Sequence, residues 1–186
     1  LSDDYLFRVI EQGGAAVGKS PLMAGSSLPT LWRRPPADVR RGANLTQMVA
    51  ISYHTLDAYG FHALEMVQCL AERRAGGETG VRQVRCLSGN AVWEAVANGT
   101  IDEGLLQAAV VPLEGSLVKR GNRSLMELAK EPTAMIVDYR DGFRASILTL
   151  NGAVNEWSVA WHEDGKTKAT MFWTQEARPF MHFTYL

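Results

Sequence analysis

The hydrophobic pattern of the chain changes at Pro132. Four segments after it alternate apolar and polar residues with a period of two: 133–139, 143–150, 153–161 and 168–174. Such alternation is typical of half-buried strands. Asp-Gly or Asn-Gly pairs separate the segments, and these pairs tolerate the positive φ angles of tight hairpins. The pattern therefore predicts an antiparallel meander.

Before Pro132, the spacing of apolar residues favours helices. The clearest helix is predicted over 56–74, where one face is apolar and Gly76-Gly77 follows. Residues 44–53 permit either a strand or a helical turn. The remaining predictions are helices over 2–12, 91–97 and 101–110, strands over 20–24 and 81–87, and a loop over 112–130. Together they predict an α+β fold: an open, mainly antiparallel sheet with helices on one face.

The amino-acid composition argues against some classes of binding partner. The chain has 19 Lys and Arg against 20 Asp and Glu, a net charge of −1. This balance gives no field that would attract nucleic acid or anionic lipid, so neither is an expected partner.

No apolar run reaches the ~18 residues of a membrane span. Two cysteines predict no disulfide framework and favour a reducing, cytoplasmic location. The apolar end at Leu186 suggests a piece of a longer polypeptide.

One string matches a phosphate-binding loop. Residues 13–20 fit G-x-x-x-x-G-K-[ST], in which backbone N–H groups surround phosphates and Lys19 would reach the β- and γ-phosphates. That motif needs a helix after it. Pro21, Gly25 and Pro29 disfavour a helix there, so a glycine-rich turn is the competing interpretation.

The predicted helix over 56–74 presents candidate chemistry on one face. His62, Glu65 and Cys69 follow one another at i, i+3 and i+7. A neutral histidine beside a carboxylate suits proton transfer, so we expect His62 to face an open cavity. A histidine bonded to backbone in a packed helix start is the alternative. A metal site completed by His54 would lack the expected number of ligands, and none is predicted.

A second candidate group precedes this helix. Trp32 and Arg33 follow a turn of small residues, and an arginine beside a tryptophan can hold a carboxylate, a phosphate or sugar hydroxyls. A solvated linker is the competing interpretation. The aromatic residues of the meander are expected to fill the core or an interface.

The motif at 56–65, Leu-Asp-Ala-Tyr-Gly-Phe-His-Ala-Leu-Glu, resembles the G-x-H-x-x-[DE] helix start of the glucose-fructose oxidoreductase/inositol dehydrogenase (Gfo/Idh/MocA) family. Residues 22–27 resemble its last Rossmann strand and crossover, and 133–174 its sheet. The resemblance implies a remnant of a Rossmann-type unit over 1–27, a connector over 28–43, and an α/β C-terminal substrate and dimerisation domain over 44–186.

The resemblance also implies roles. His62 would transfer a proton and Glu65 would orient it, while Trp32, Arg33, Asp57 and Tyr59 would contact the substrate. NAD or NADP is implied as cofactor by the resemblance alone. The glycine-rich G-x-G-x-x-G loop and the lysine segment of the family are absent from this chain. The cofactor-binding residues therefore stay unknown.

Three functions follow as hypotheses. The first is the substrate-binding and dimerisation region of an NAD(P)-dependent oxidoreductase that acts on a sugar, a polyol or a similar hydroxylated small molecule. The second is a non-catalytic module that forms a homo-oligomer through its sheet. The third is a phosphate-loop NTPase that uses residues 13–20.

Overall fold

The computed structural model describes residues 25–121 and 123–173. They form one seven-stranded sheet in the order β1-β7-β6-β2-β5-β4-β3. The strands are β1 (Trp32–Arg34), β2 (Gln47–Ser52), β3 (Val81–Ser88), β4 (Thr133–Tyr139), β5 (Arg144–Thr149), β6 (Trp157–Glu163) and β7 (Lys166–Trp173). The helices are α1 (Phe61–Ala71), α2 (Asn90–Ala97), α3 (Glu103–Val110) and α4 (Leu125–Leu128). The predicted α+β class with an open, mainly antiparallel sheet is confirmed.

The predicted meander is interrupted at its centre. Strands β4 and β5 form one hairpin and β6 and β7 another, as the Asp-Gly pairs predict. Strand β2 lies between the two hairpins, parallel to β5 and antiparallel to β6. The segment that permitted a strand or a helical turn is thus a central strand. Its consecutive buried residues 48–51 suit a position covered on both faces.

Helices cover both faces of the sheet. On the first face, α1 buries Ala63, Met66 and Leu70 against β2 and β5. On the second face, α3 buries Leu105 and Leu106 against β2 and β6. The prediction of helices on one face is therefore wrong. Strands β2 and β6 are buried on both sides, and each side needs an apolar cover.

The helix predicted over 56–74 is present, with a different first turn. Leu56–Gly60 forms a single π-helical turn, and α1 continues from it. Thr55 caps this turn by accepting a hydrogen bond from the N–H of Ala58. Gly76 and Gly77 lie beyond the helix with φ angles of 83° and 61°, a conformation that glycine adopts without steric cost. The helix ends at Ala71, three residues before the predicted end and before the glycine pair.

Residues 28–43 belong to the same core as the sheet. Strand β1 pairs with β7 at one edge, and Leu28, Leu31, Val39 and Ala43 are buried in the first-face cluster. The prolines of this segment thus separate apolar positions that reach the core. The segment predicted to be a loop over 112–130 contains α4, which begins with a capping box between Ser124 and Glu127.

Several predictions lie outside the described residues. They are the helix over 2–12, the loop over 13–20, the strand over 20–24 and most of the Rossmann-type remnant. Within residues 25–121 and 123–173, no helix combines the length and apolarity needed to cross a bilayer.

Candidate functional site

The predicted proton-transfer residue, His62, lies in the first turn of α1 and is partly buried. Its Nδ1 is 2.7 Å from the Oγ of Ser26. The same Oγ accepts a hydrogen bond of 3.0 Å from the N–H of Leu28. A hydroxyl oxygen has two lone pairs, so it can accept from both groups. In the tautomer that carries its proton on Nδ1, the ring donates to Ser26 and the lone pair of Nε2 is left for another partner; in the other tautomer the hydroxyl donates to Nδ1.

Glu65 approaches the segment before Ser26 rather than the imidazole. A Cβ at Gly25 would lie 3.0 Å from the Glu65 Oε2, so the absence of a side chain at Gly25 permits this approach. Within the described residues, no hydrogen bond joins Glu65 to His62. Ser26, which sequence reasoning missed, positions the ring instead. Its signal in the sequence was only a turn of small residues.

Cys69 shares this helix face but is a neutral thiol. Burial raises its pKa to about 11, and the thiol donates a hydrogen bond to the carbonyl of Met66. A neutral thiol is a poor nucleophile and a poor metal ligand. We therefore assign Cys69 a packing role.

Trp32 and Arg33 point in different directions because they are neighbours on strand β1. Trp32 is 66% exposed. Arg33 lies over the Phe172 ring at 3.8 Å and donates to the carbonyls of Leu31 and Pro29. Burial lowers the pKa of its guanidinium. Arg33 thus joins the 28–34 segment to β7, while its Nε is buried and has no hydrogen-bond partner within the described residues.

Tyr59 lies in an aromatic cluster between two histidines. Its ring stacks on His54 at 4.7 Å and meets His62 edge-on at 6.2 Å. Trp157 and Tyr53 complete the cluster, with centroids 5.2 Å and 5.3 Å from that of Tyr59. The Tyr59 ring therefore separates the surroundings of His62 from those of His54.

A cleft of ≈ 560 Å³ opens beside His54 at the carboxyl ends of the parallel strands β2 and β5. We call it the strand-end cleft. It is lined by His54, Thr55, Leu56, Asp57, Ser88, Gly89, Glu131, Thr133, Thr149 and Asn151. Asp57 is the one predicted site residue among them. Sequence reasoning missed the others because they follow or precede four different strands.

The floor of the cleft is built by polar contacts. The hydroxyls of Ser52 and Thr149 are 2.9 Å apart. The Asn151 side chain accepts from the N–H of His54 at 2.6 Å and donates to its carbonyl at 3.0 Å. These two bonds hold His54 at a φ of 71°, where a residue with a side chain is strained. Its imidazole is exposed at the cleft wall.

His62 and Glu65 do not line this cleft. Glu65 lines a second, apolar cavity of ≈ 310 Å³ between α1 and β3, which we call the α1–β3 groove. His62, which was expected to face an open cavity, lines neither of these two cavities. In the described ranges, no three His, Cys, Asp or Glu side chains converge as a metal site requires.

Comparison with known proteins adds no relative. No family model, curated protein or solved structure matches the chain.

Proposed function

We propose that this chain is the substrate-binding and dimerisation region of a cytoplasmic NAD(P)-dependent oxidoreductase that acts on a sugar, a polyol or a similar hydroxylated molecule. One observation carries the proposal. The two segments that resemble neighbouring parts of the Gfo/Idh/MocA family, 22–27 and 56–65, contact each other through Ser26 and His62. The free thiols of Cys69 and Cys86 are consistent with a reducing compartment.

In this proposal, His62 moves the proton of the substrate hydroxyl. Its Nε2 accepts that proton as the alcohol becomes a carbonyl, and the resulting imidazolium still donates from Nδ1 to Ser26. NAD(P), when bound, would supply the hydride acceptor. The described residues show no glycine-rich turn that opens onto a helix and would fit a dinucleotide phosphate, so no cofactor contact is assigned to them.

The test is a dehydrogenase assay of the full-length protein with a panel of sugars and polyols and with NAD or NADP. We expect His62→Gln to lower kcat/KM by about 10²-fold to 10⁴-fold, the usual contribution of a positioned acid-base group. His162→Gln replaces an exposed histidine at the far end of β6 and should leave turnover unchanged. Circular dichroism checks that both variants fold.

Two outcomes would contradict this function. Turnover that is unchanged in His62→Gln would show that the imidazole only packs. The absence of nicotinamide-dependent turnover across the whole panel would remove the oxidoreductase hypothesis. Ser26→Ala separates positioning from catalysis, since it should shift the pH profile of kcat/KM while substrate turnover is retained.

A second candidate function is assembly of two copies through the sheet. Strand β3 is an eight-residue edge strand whose residues are largely exposed. Val81 and Val84 are 45% and 60% exposed and border the α1–β3 groove. An edge strand presents unpaired backbone groups, and a second copy of the same strand satisfies them with two-fold symmetry.

Light scattering of the purified chain tests this candidate. We expect a dimer that Val84→Lys converts to a monomer, because the charge would lie at the apolar contact. Val111→Lys is the matched control, since Val111 is 69% exposed on another part of the molecule. A monomeric parent chain, or the same mass for parent and Val84→Lys, would contradict assembly through β3.

A further inference from the structure

The strand-end cleft has the location and size of a ligand site. It lies where the parallel strands β2 and β5 both end, beside the switch from parallel to antiparallel pairing around β2. In α/β proteins, ligands commonly bind outside the carboxyl ends of parallel strands. Its ≈ 560 Å³ falls within the range of small-molecule pockets, about 300–1,000 Å³.

The charges of the cleft determine which ligand would fit. Asp57 and Glu131 are both exposed there. Neither has a hydrogen bond or an ion pair within the described residues, and no lysine or arginine lines the cleft. Among the described residues, an anionic ligand would therefore meet two carboxylates and no lysine or arginine. A protonated amine would supply the missing positive charge and up to three donors.

The remaining polar groups suit hydroxyls. The Oγ1 of Thr133 lacks a hydrogen-bond partner within the described residues, but it is shielded from solvent, so a ligand reaches it only after the side chain rotates. The Ser88 side chain lies exposed on the same wall. By contrast, the hydroxyl of Thr149 and the amide of Asn151 are already paired with the protein. Unpaired hydroxyls beside carboxylates can bind the hydroxyls of a small polar molecule.

We infer that the strand-end cleft binds a small hydroxylated molecule that carries a protonated amine, such as an amino alcohol or an amino sugar. Asp57 and Glu131 bind the amine, and the hydroxyl groups of the wall bind the hydroxyls. His62 takes no part in this site. The inference therefore stands or falls independently of the oxidoreductase proposal.

Calorimetric titration at pH 6 tests the inference with probes of different charge. Glucosamine and ethanolamine carry the amine, glucose is the neutral counterpart of glucosamine, and glucuronate is an anionic one. We expect saturable binding of at least one amine, weaker binding of glucose and no binding of glucuronate. Amide NMR shifts should locate the bound amine beside Asp57 and Glu131. No binding of either amine, or equal binding of glucuronate, would overturn the inference.

Two cleft variants and one control complete the test. Asp57→Asn and Glu131→Gln should each weaken binding of the amine about tenfold, because each removes one charge-assisted contact. Glu103→Gln removes a carboxylate of α3 that does not line the cleft and should leave the affinity unchanged. Unchanged affinity in both cleft variants, or an equal loss in the control, would also overturn the inference.

Discussion

The two ends of the central strands β2 and β5 differ in whether their carboxylates are paired with cations. Where β2 and β5 begin, three carboxylates each have a cation: Asp138 lies 2.6 Å from Arg144, Asp141 2.9 Å from Arg74, and Glu163 2.7 Å from Lys168. Asp138 and Glu163 are buried, and Asp141 is partly exposed. Where the same strands end, Asp57 and Glu131 line a cleft and have no such partner within the described residues. At the first end the ion pairs stabilise the fold, whereas at the second end the carboxylates are available to a ligand.

Arg74, at the end where β2 and β5 begin, is paired with several groups at once. Its side chain is almost fully buried, and its guanidinium lies 4.6 Å from the centroids of both Tyr139 and Phe143. It donates to Asp141, to the carbonyl of Ala71 and to the hydroxyl of Thr79. One side chain thus links the end of α1 to the β4–β5 hairpin.

The largest expected effect is therefore at Arg74. We expect Arg74→Met to lower the free energy of unfolding by about 3 kcal/mol, because it leaves the half-buried Asp141 without its cation. Arg40→Met is the matched control. It breaks an Arg–Asp pair of 3.2 Å whose side chains are both more than half exposed, and it should cost less than about 1 kcal/mol. Urea unfolding measures both, and equal losses would contradict the contrast between buried and exposed pairs.

The hairpins and α1 were predictable because their signals are local. The apolar spacing from Ala63 to Leu70 defines the buried face of α1. The turn at Asp164-Gly165 has φ angles of 51° and 72°, the conformation that such a pair favours. Asn151-Gly152 is a similar pair, but it does not form a hairpin, because β2 separates β5 from β6.

The candidate sites were less predictable because they depend on topology. The helix motif gave His62 and Glu65, but the hydroxyl that positions His62 is 36 residues away along the chain. The strand-end cleft collects residues from near 54, 88, 131 and 149. Antiparallel pairing of β3, β4 and β5 places Ser88, Thr133 and Thr149 side by side. The parallel pairing of β2 with β5 adds the residues near 54, and no local pattern indicated that pairing.

Low pH should destabilise the end of the sheet at which β2 and β5 begin, where three carboxylates are paired with cations. Burial raises the pKa values of Asp138, Asp141 and Glu163, but hydrogen bonds from their cations outweigh it, so each pKa lies below its ordinary value. The unfolded chain therefore takes up protons first as the pH falls. Stability is complete above the ordinary carboxyl range, about pH 4, and is lost below it.

Urea unfolding between pH 6 and pH 3 measures this loss, which we expect as a fall in the free energy of unfolding below about pH 4. Asp141→Asn should flatten the pH profile, because one of the three groups no longer titrates. A profile that is flat for the parent chain, or equally steep for Asp141→Asn, would contradict the assignment of the paired end as the source of the pH dependence.

The smallest expected effect is at His54 in the strand-end cleft, where the backbone is strained. His54 has a φ of 71°, which costs about 1 kcal/mol for a residue with a Cβ and little for glycine. Both His54→Ala and His54→Gly remove the ring that stacks on Tyr59, so their difference isolates the backbone. We expect His54→Gly to be more stable than His54→Ala by about 1 kcal/mol in thermal or urea unfolding. The reverse order, which is the usual one at positions with a negative φ, would show that the cleft end stores no strain at His54.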